Sequence, residues 1–541
     1  MKHYFTSAAV LALVPFAATA SPEMCDAAAD LSVEGVTFTS ATYAPMGEES
    51  PLDHCIVQAT MAERTGTDGK DYAIRFELRL PDDWDGAIVH QFNGGNDGAV
   101  VPALGAITGL APGDGALARG MAVVSSDAGH DGEANPDAGL AGGNVFGMEF
   151  EARRNYGYAA VPQVQRAAEA LTTAYYDGEI EYRYGLGSSN GGRHAMVAAS
   201  RMGDTFDGLL AGYPGFNLPR AAIQHAWDVQ NFLRVGETLP QSFSREEMNL
   251  VGASITEACD ALDGAEDGLV LDPMGCQDTF DPKSMACTDG QNSDCLPSEK
   301  VEALIAIHGG PKTSTGDALY SDWPWDPGIA SGGWRFWKLE SPIPPWENQP
   351  LIAVMGAGSL AQVFSTPPTE VAGSPPALQD FLTSYDFDEQ AARVTATSED
   401  FPESAVEVMT PPDMDDPMLA DFVASGGKMV IFHGTADPVF SFNDTTGWYD
   451  RLSENVDNVR EHVVLYPVPG MQHGQGGPAP DAFDLLTVLT DWVENGKAPG
   501  PVTATVREDN AEAPEAVRGE TRPLCLYPQV ARADGDGFAC Q

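Results

Sequence analysis

Gly185-Leu186-Gly187-Ser188-Ser189-Asn190-Gly191-Gly192-Arg193 carries the G-x-S-x-G pattern of this chain, at Gly187–Gly191. Before it, Ile180-Glu181-Tyr182-Arg183-Tyr184 reads as a short strand. After it, Arg193 to Arg201 reads as a helix. Strand, glycine-flanked serine and helix together predict a nucleophile elbow, a turn so tight that only glycine fits on either side of the serine. Such a turn pushes the Ser189 hydroxyl out above a sheet. It also sets the first helical N–H, that of Asn190, where an oxyanion would form. The five-residue pattern alone does not separate an elbow from a plain glycine-rich turn; its surroundings do.

Working outward, Ser21 to Pro81 alternates apolar and polar residues, as in Tyr72-Ala73-Ile74-Arg75-Phe76-Glu77-Leu78, and predicts antiparallel edge strands. Ala87–Phe92 is a strand that runs into Asn93-Gly94-Gly95-Asn96-Asp97-Gly98. A glycine-rich loop in that place supplies the second oxyanion N–H in α/β-hydrolases, so Gly95 is the candidate donor, with a simple turn as the alternative. Met121–Ser126 predicts another strand, and Tyr156–Tyr176 an amphipathic helix that leads into the elbow strand. From about Pro214 to Met418 the text turns rich in Pro, Asp, Gly and Trp. After that, strand and helix patterns resume at Lys428–His433, Thr445–Val456, His462–Tyr466 and Ala482–Glu494. The expected class is α/β: an α/β-hydrolase domain with a large insertion. Its parts are residues 21–213, the first part of the hydrolase domain; 214–418, the insertion; and 419–541, the second part.

The formal charge of −50 over 541 residues excludes nucleic acid and anionic membrane surfaces as natural partners. Residues 1–20 read as a signal peptide: a basic start at Met1-Lys2-His3, a short apolar run and Ala18-Thr19-Ala20 as cleavage site. The expected location is periplasmic or secreted. Export favours disulfides, and the eight cysteines form four couples close in sequence: Cys25 with Cys55, Cys259 with Cys276, Cys287 with Cys295, and Cys525 with Cys540.

In an α/β-hydrolase the acid and then the histidine follow the serine along the chain. Asp437 lies in a turn after a strand and His473 in the loop after the next strand. The predicted triad is Ser189 as nucleophile, His473 as base and Asp437 as orienting acid, with Asp444 as the rival acid and His433 as the histidine nearest Asp437.

These residues resemble the tannase/feruloyl esterase family. The elbow is similar to its G-C-S-x-G-G-R. Phe432-His433-Gly434-Thr435-Ala436-Asp437 resembles its Asp segment, and Pro469-Gly470-Met471-Gln472-His473-Gly474 its P-G-M-x-H-C segment. Arg522-Pro523-Leu524-Cys525-Leu526-Tyr527-Pro528-Gln529-Val530-Ala531-Arg532 resembles its C-terminal R-P-L-C-P-Y-P-x-x-A-R run. The resemblance implies a lidded α/β-hydrolase that hydrolyses esters of aromatic acids such as gallate and ferulate. One departure stands out: the family's cysteines beside the nucleophile and the histidine are replaced by Ser188 and Gly474. This implies that the usual disulfide next to the active site is missing.

Cys259-Asp260-Ala261-Leu262-Asp263-Gly264-Ala265-Glu266-Asp267-Gly268-Leu269 is similar to the calcium loop in the lid of that family. The carboxylates of Asp260, Asp263 and Asp267 with the carbonyls of Ala265 and Leu269 would hold a structural Ca2+. An acidic surface turn is the alternative in a chain with 79 Asp and Glu residues. Five tryptophans fall between residues 323 and 346, and Trp334 and Trp337 are the candidate walls for a flat acyl group, set against the reading of a small lid core. Leu339 to Ala392 contains no Lys or Arg, which predicts an aromatic acyl group without a second free carboxylate; Arg335 sits inside the tryptophan cluster and is the cation that would overturn this by turning inward. The expected activity is an exported serine esterase for aromatic esters. The alternatives are another serine hydrolase (for a terephthalate-type monoester, a lipid or a peptide) or a non-catalytic, calcium-dependent binding protein.

Overall fold

Along the central strands, apolar residues point alternately to two faces, as a sheet buried on both sides requires. Val89, Val123, Leu210, Val430, Phe432, Val464 and Tyr466 pack on one face, together with Leu485, Leu486, Leu489 and Trp492 of the helix Leu485–Asn495. Ile88, Ala122 and Val124 face the other side, against the helix Ala160–Tyr176. Leu209, Ala211, Met429, Ile431, Val463 and Leu465 share that side with the helices Asn190–Arg201 and Phe442–Asn455. The computed structural model describes residues 21–47, 50–288, 294–535 and 537–541. The expected signal peptide, residues 1–20, lies outside the described residues.

Nine strands form the main sheet: β1 (Val36–Ala44), β2 (His54–Thr65), β3 (Asp71–Pro81), β4 (Ala87–Phe92), β5 (Ala122–Ser126), β6 (Tyr182–Ser188), β7 (Gly208–Gly212), β8 (Lys428–Gly434) and β9 (Val463–Val468). Their order across the sheet is β1-β2-β3-β5-β4-β6-β7-β8-β9. β1 to β3 are antiparallel and β3 meets β5 antiparallel, whereas β4 to β9 run parallel to one another. Because β4 crosses over β5 to pair with β6, the loop after β4 lies beside the elbow after β6. This is an α/β-hydrolase fold.

The parallel pair β7–β8 is separated by residues 213–427, and among the described residues that stretch contains no strand of the sheet. Its helices build a second core, with Ala226, Val229, Phe232, Val251, Ile255, Leu304, Ile352, Leu360, Leu378 and Val408 buried in it. The helix expected over Tyr156–Tyr176 starts differently: Asn155–Ala159 is a π-helical turn, and the α-helix begins at Ala160. The Arg193 guanidinium accounts for this, since it donates to Gly157 O at 2.6 Å and Tyr156 O at 2.9 Å, drawing both carbonyls out of the helical ladder.

All eight cysteines are paired, as 25–55, 259–276, 287–295 and 525–540, and none is free. The expectation of a missing disulfide, drawn from Ser188 and Gly474, is corrected by the four bridges present, which close local loops in both the hydrolase and lid parts. No described helix is long and apolar enough to cross a membrane.

Candidate active site

Ser189 sits between β6 and the helix Asn190–Arg201 with φ 62° and ψ −123°, a strained conformation that costs about 1–3 kcal/mol. The two glycines of the motif permit it. A Cβ on Gly187 would lie 2.5 Å from Gly191 C, and one on Gly191 would lie 2.3 Å from Phe92 O. The turn is held by Ser189 N donating to Gly212 O at 2.9 Å, and by Gly215 N and Arg193 N donating to Ser189 O at 3.1 and 3.0 Å.

His473 reaches Ser189 from the loop after β9. Its Nε2 lies 2.9 Å from Ser189 Oγ, and its Nδ1 lies 2.8 Å from Asp437 Oδ2. A carboxylate can only accept, so Nδ1 carries the proton and Nε2 is free to accept from the serine hydroxyl. The other Asp437 oxygen accepts from Val439 N at 2.7 Å and Phe440 N at 3.1 Å. Burial would raise the Asp437 carboxyl, but the charge and hydrogen bonds of His473 and His433 outweigh it and hold the group well below the usual carboxylate range. His433 makes its shorter contacts elsewhere, Nδ1 at 2.9 Å from Thr445 Oγ1 and Nε2 at 3.1 Å from Phe440 O, with Asp437 Oδ2 at 3.4 Å from the same Nε2. Asp444, the rival acid, is half-buried near Asn217, whose Nδ2 donates to it at 3.5 Å, and makes no hydrogen bond to His473.

The loop after β4 lies against the elbow. A Cβ on Gly94 would come within 3.8 Å of Ser188 O, and Gly95 takes φ +61°. Asn190 Nδ2 donates to Asp97 Oδ1 at 2.5 Å and points at Asn93 O, 3.5 Å away. Asn96 Nδ2 donates to Ser359 Oγ at 2.9 Å and also to Asn144 Oδ1, tying this loop to the lid. Gly95 and Asn190, the two candidate oxyanion donors, therefore stand on adjoining segments on the Ser189 side of the sheet.

Three aromatic rings stand edge-on to the His473 ring: Tyr213 at 4.7 Å, Trp337 at 5.0 Å and Phe440 at 5.5 Å between centroids. Trp337 thus stands beside the triad histidine. Trp334 does not: it is buried in the lid core, edge-on to Phe232 at 6.4 Å. Both residues lie on the short helix Gly332–Lys338, and packing against Phe232 holds Trp334 in the lid interior. Trp323, Trp325 and Trp346 also belong to lid packing, under Lys338, on His308 and beside Phe336 respectively. Tyr213 and Phe440 escaped the sequence reading. Tyr213 immediately follows the end of β7, and the ends of parallel strands are where α/β sheets place ligands; that position was the available signal. Arg335 faces away from the triad. Its Nε pairs with Glu340 at 2.7 Å, and its other nitrogens donate to Phe243 O at 2.9 Å and Pro240 O at 3.2 Å.

In the acidic loop the carboxylates converge on backbone N–H groups. Asp260 accepts from Gly268 N at 3.0 Å, Asp263 from Ala265 N at 2.9 Å and Leu271 N at 3.0 Å, and Asp267 from Leu269 N at 3.0 Å. Burial and then the neighbouring Asp267 and Asp260 charges push Asp263 up to about 6, with its backbone hydrogen bonds working against them. Three carboxylates on one short loop are the donor type that a hard dication takes, but their oxygens are engaged by backbone N–H groups here. Part of the charge is already met by Arg522, whose Nη2 lies 2.6 Å from Asp267 Oδ2. No cluster of three or more His, Cys, Asp or Glu gathers in metal-binding geometry among the described residues.

A strained serine on a strand-to-helix turn, hydrogen-bonded through a histidine to a buried aspartate, defines the site of an α/β-hydrolase. Residues 57–541 match the family model "Tannase and feruloyl esterase", and the chain belongs to that family. It is a carboxylic ester hydrolase. It is 34% identical over 539 residues to the mono(2-hydroxyethyl) terephthalate hydrolase of Piscinibacter sakaiensis, covering 94% of this chain and 88% of that protein. With a probable feruloyl esterase of Arthroderma benhamiae it shares 28% identity over 92% of this chain and 87% of that one. Among solved structures, feruloyl esterase B from Aspergillus oryzae superposes with a TM-score of 0.75 at 21% identity, over 96% of this chain and 100% of that chain, a likeness of fold.

Proposed function

We propose that this protein is an exported serine esterase that cleaves uncharged esters of aromatic acids through Ser189, His473 and Asp437. The observation that carries the reading is the position of His473, whose two ring nitrogens lie 2.9 Å from Ser189 Oγ and 2.8 Å from Asp437 Oδ2. Ser189 Oγ attacks the ester carbonyl while His473 Nε2 takes its proton. The resulting oxyanion is met by the N–H groups of Gly95 and Asn190. The C–O bond to the alcohol breaks as His473 returns the proton to the leaving oxygen. Water, deprotonated by His473, then attacks the acyl-enzyme and the acid is released from Ser189. Asp437 fixes the tautomer and balances the imidazolium.

The acyl group is read as aromatic because Trp337, Tyr213 and Phe440 surround the catalytic histidine. It is read as uncharged because Arg335 spends its donors on Glu340, Phe243 and Pro240, and residues 339–392 supply no other cation. The relative named for a terephthalate monoester favours the second reading, a monoester with a free carboxylate. Turnover on methyl gallate, methyl ferulate, a short aliphatic nitrophenyl ester and a terephthalate monoester separates the two. The proposal expects the neutral aromatic esters to lead; best turnover on the aliphatic ester or the monoester contradicts it.

Residues 214–418 act as the lid over this site, and Asp260, Asp263, Ala265, Asp267 and Leu269 hold a Ca2+ that stabilises the lid and takes no part in the chemistry. Four disulfides and the expected leader at residues 1–20 support a periplasmic or secreted location.

A further inference from the structure

The Asp97 side chain is 4% exposed beside the elbow, and its neighbours constrain where its protons are. The Asn190 amide orientation is set by Arg193, whose Nε donates to Asn190 Oδ1 at 2.6 Å, so Asn190 Nδ2 must face Asp97 Oδ1. The second oxygen, Asp97 Oδ2, lies 3.4 Å from His194 Nε2. That nitrogen already faces Arg193 Nη2 at 3.1 Å. Guanidinium only donates, so His194 Nε2 is an acceptor, and the ring proton sits on Nδ1, which is buried without a hydrogen-bond partner. Two lone pairs, on Asp97 Oδ2 and His194 Nε2, then face each other unless a proton sits on the carboxyl. The alternative tautomer, with the proton on Nε2, sets that N–H against the Arg193 N–H.

We propose that Asp97 is an uncharged carboxylic acid that clamps the two halves of the oxyanion hole together. Its carbonyl oxygen accepts from the side chain of Asn190, whose backbone N–H is one donor, while its own chain segment carries Gly95, the other. Its hydroxyl faces His194 Nε2. Asp97 is therefore a positioning residue that acts through Asn190. The charged and titratable groups packed around it agree with a neutral acid. Arg193 spends its donors on the Tyr156 and Gly157 carbonyls, Asn190 and His194, and makes no direct ion pair with Asp97. His194 is held neutral by burial and by Arg193. Tyr156 is kept protonated by its own burial, and His130 lies against Asn96 O at 2.9 Å. Burial drives the Asp97 carboxyl well above its ordinary value, against the pull of Arg193 and Asn190.

This inference rests on Gly95 and Asn190 being the oxyanion donors. Its sharpest test is Asp97→Asn beside Asp97→Ala. Asparagine is neutral, has the same shape, accepts through its carbonyl and donates through its amide, and it tolerates the φ of +46° found here. On a neutral aryl ester, Asp97→Asn is expected within about three-fold of wild-type kcat, whereas Asp97→Ala loses about a hundred-fold, the scale of one lost oxyanion donor, with KM nearly unchanged. An aryl boronic acid, which forms a tetrahedral adduct on the serine, should bind Asp97→Ala more weakly by a similar factor. Equal damage from both substitutions overturns the neutral acid. Wild-type kcat in Asp97→Ala, or a lost kcat with unchanged boronic acid binding, overturns the clamp. If Asp97→Ala does not fold, the infrared difference between wild type and Asp97→Asn decides: loss of a protonated carboxyl band is expected, and loss of a carboxylate band contradicts the proposal. Failure of the triad reading itself is recognised separately, by activity persisting in Ser189→Ala.

Discussion

The indole of Trp337 stands edge-on to the imidazole of His473, with centroids 5.0 Å apart and planes at 74°. The lid thus contributes an apolar wall directly to the base of the triad. Trp337→Ala is expected to raise KM for an aromatic ester about ten-fold, the upper end of what one aromatic contact contributes. Trp334→Phe, three residues earlier but buried against Phe232, should lower Tm and leave KM alone. Steady-state kinetics and melting curves on both variants check this; the reverse pattern contradicts the assignment of the wall.

Asp437 and Asp444 make opposite predictions. Asp437→Asn forces the wrong tautomer on His473 and should cost about ten-thousand-fold in kcat. Asp444→Asn should leave kcat within a few-fold, since Asp444 meets Asn217 and not the histidine. Loss of kcat in Asp444→Asn comparable to that in Asp437→Asn would exchange the two roles.

The same pair carries the pH dependence. Burial lifts Asp444 to about 6, above its value of about 4 in the unfolded chain. Between those values the folded state holds the proton more tightly, so its contribution to stability is full below about pH 4 and lost as pH rises through about 6. Asp444→Asn therefore relieves about 3 kcal/mol at pH 8 and little at pH 4, at 1.36 kcal/mol per unit. For Asp437, which is held below its unfolded value, the sign reverses: its contribution is present above about pH 4 and lost on acidification. A Tm gain for Asp444→Asn that is the same at pH 4.5 and pH 8 contradicts the buried, raised carboxyl.

Much of the site could be read from the chain because the elbow, the acid turn and the histidine loop each sit at the end of a strand, and their order along the chain fixes their meeting. The cysteine couples were legible because each closes a short loop. What could not be read depends on contacts between distant segments. Nothing in the spacing of Trp334 and Trp337 says which one meets His473. The π-helical turn at Asn155–Ala159 exists because Arg193, far along the chain, takes two of its carbonyls. The turn of Arg335 away from the triad depends on Glu340 and on the carbonyls of Pro240 and Phe243.

Calcium removal tests the acidic loop. Chelation should lower Tm, and added Ca2+ should restore it, by mass action on a site present in the folded state. Asp263→Asn should abolish the response to Ca2+. A melting curve that neither chelator nor Ca2+ moves returns residues 260–269 to an acidic turn that Arg522 already neutralises at Asp267.

Substrate charge gives a further test. kcat/KM for a neutral terephthalate diester should exceed that for the monoester, and Arg335→Ala should lower Tm without changing the ratio, because its guanidinium is bound to Glu340. A preference for the monoester that Arg335→Ala abolishes contradicts the uncharged pocket.

The most direct measurement is the kcat of Ser189→Ala on methyl ferulate, with its melting temperature recorded beside it. Without the hydroxyl that lies 2.9 Å from His473 Nε2, no acyl-enzyme can form. The expected result is a folded protein whose kcat has fallen about a million-fold. A folded Ser189→Ala protein that keeps more than about a hundredth of wild-type activity, against that expected loss, would contradict the assignment of Ser189 as the nucleophile.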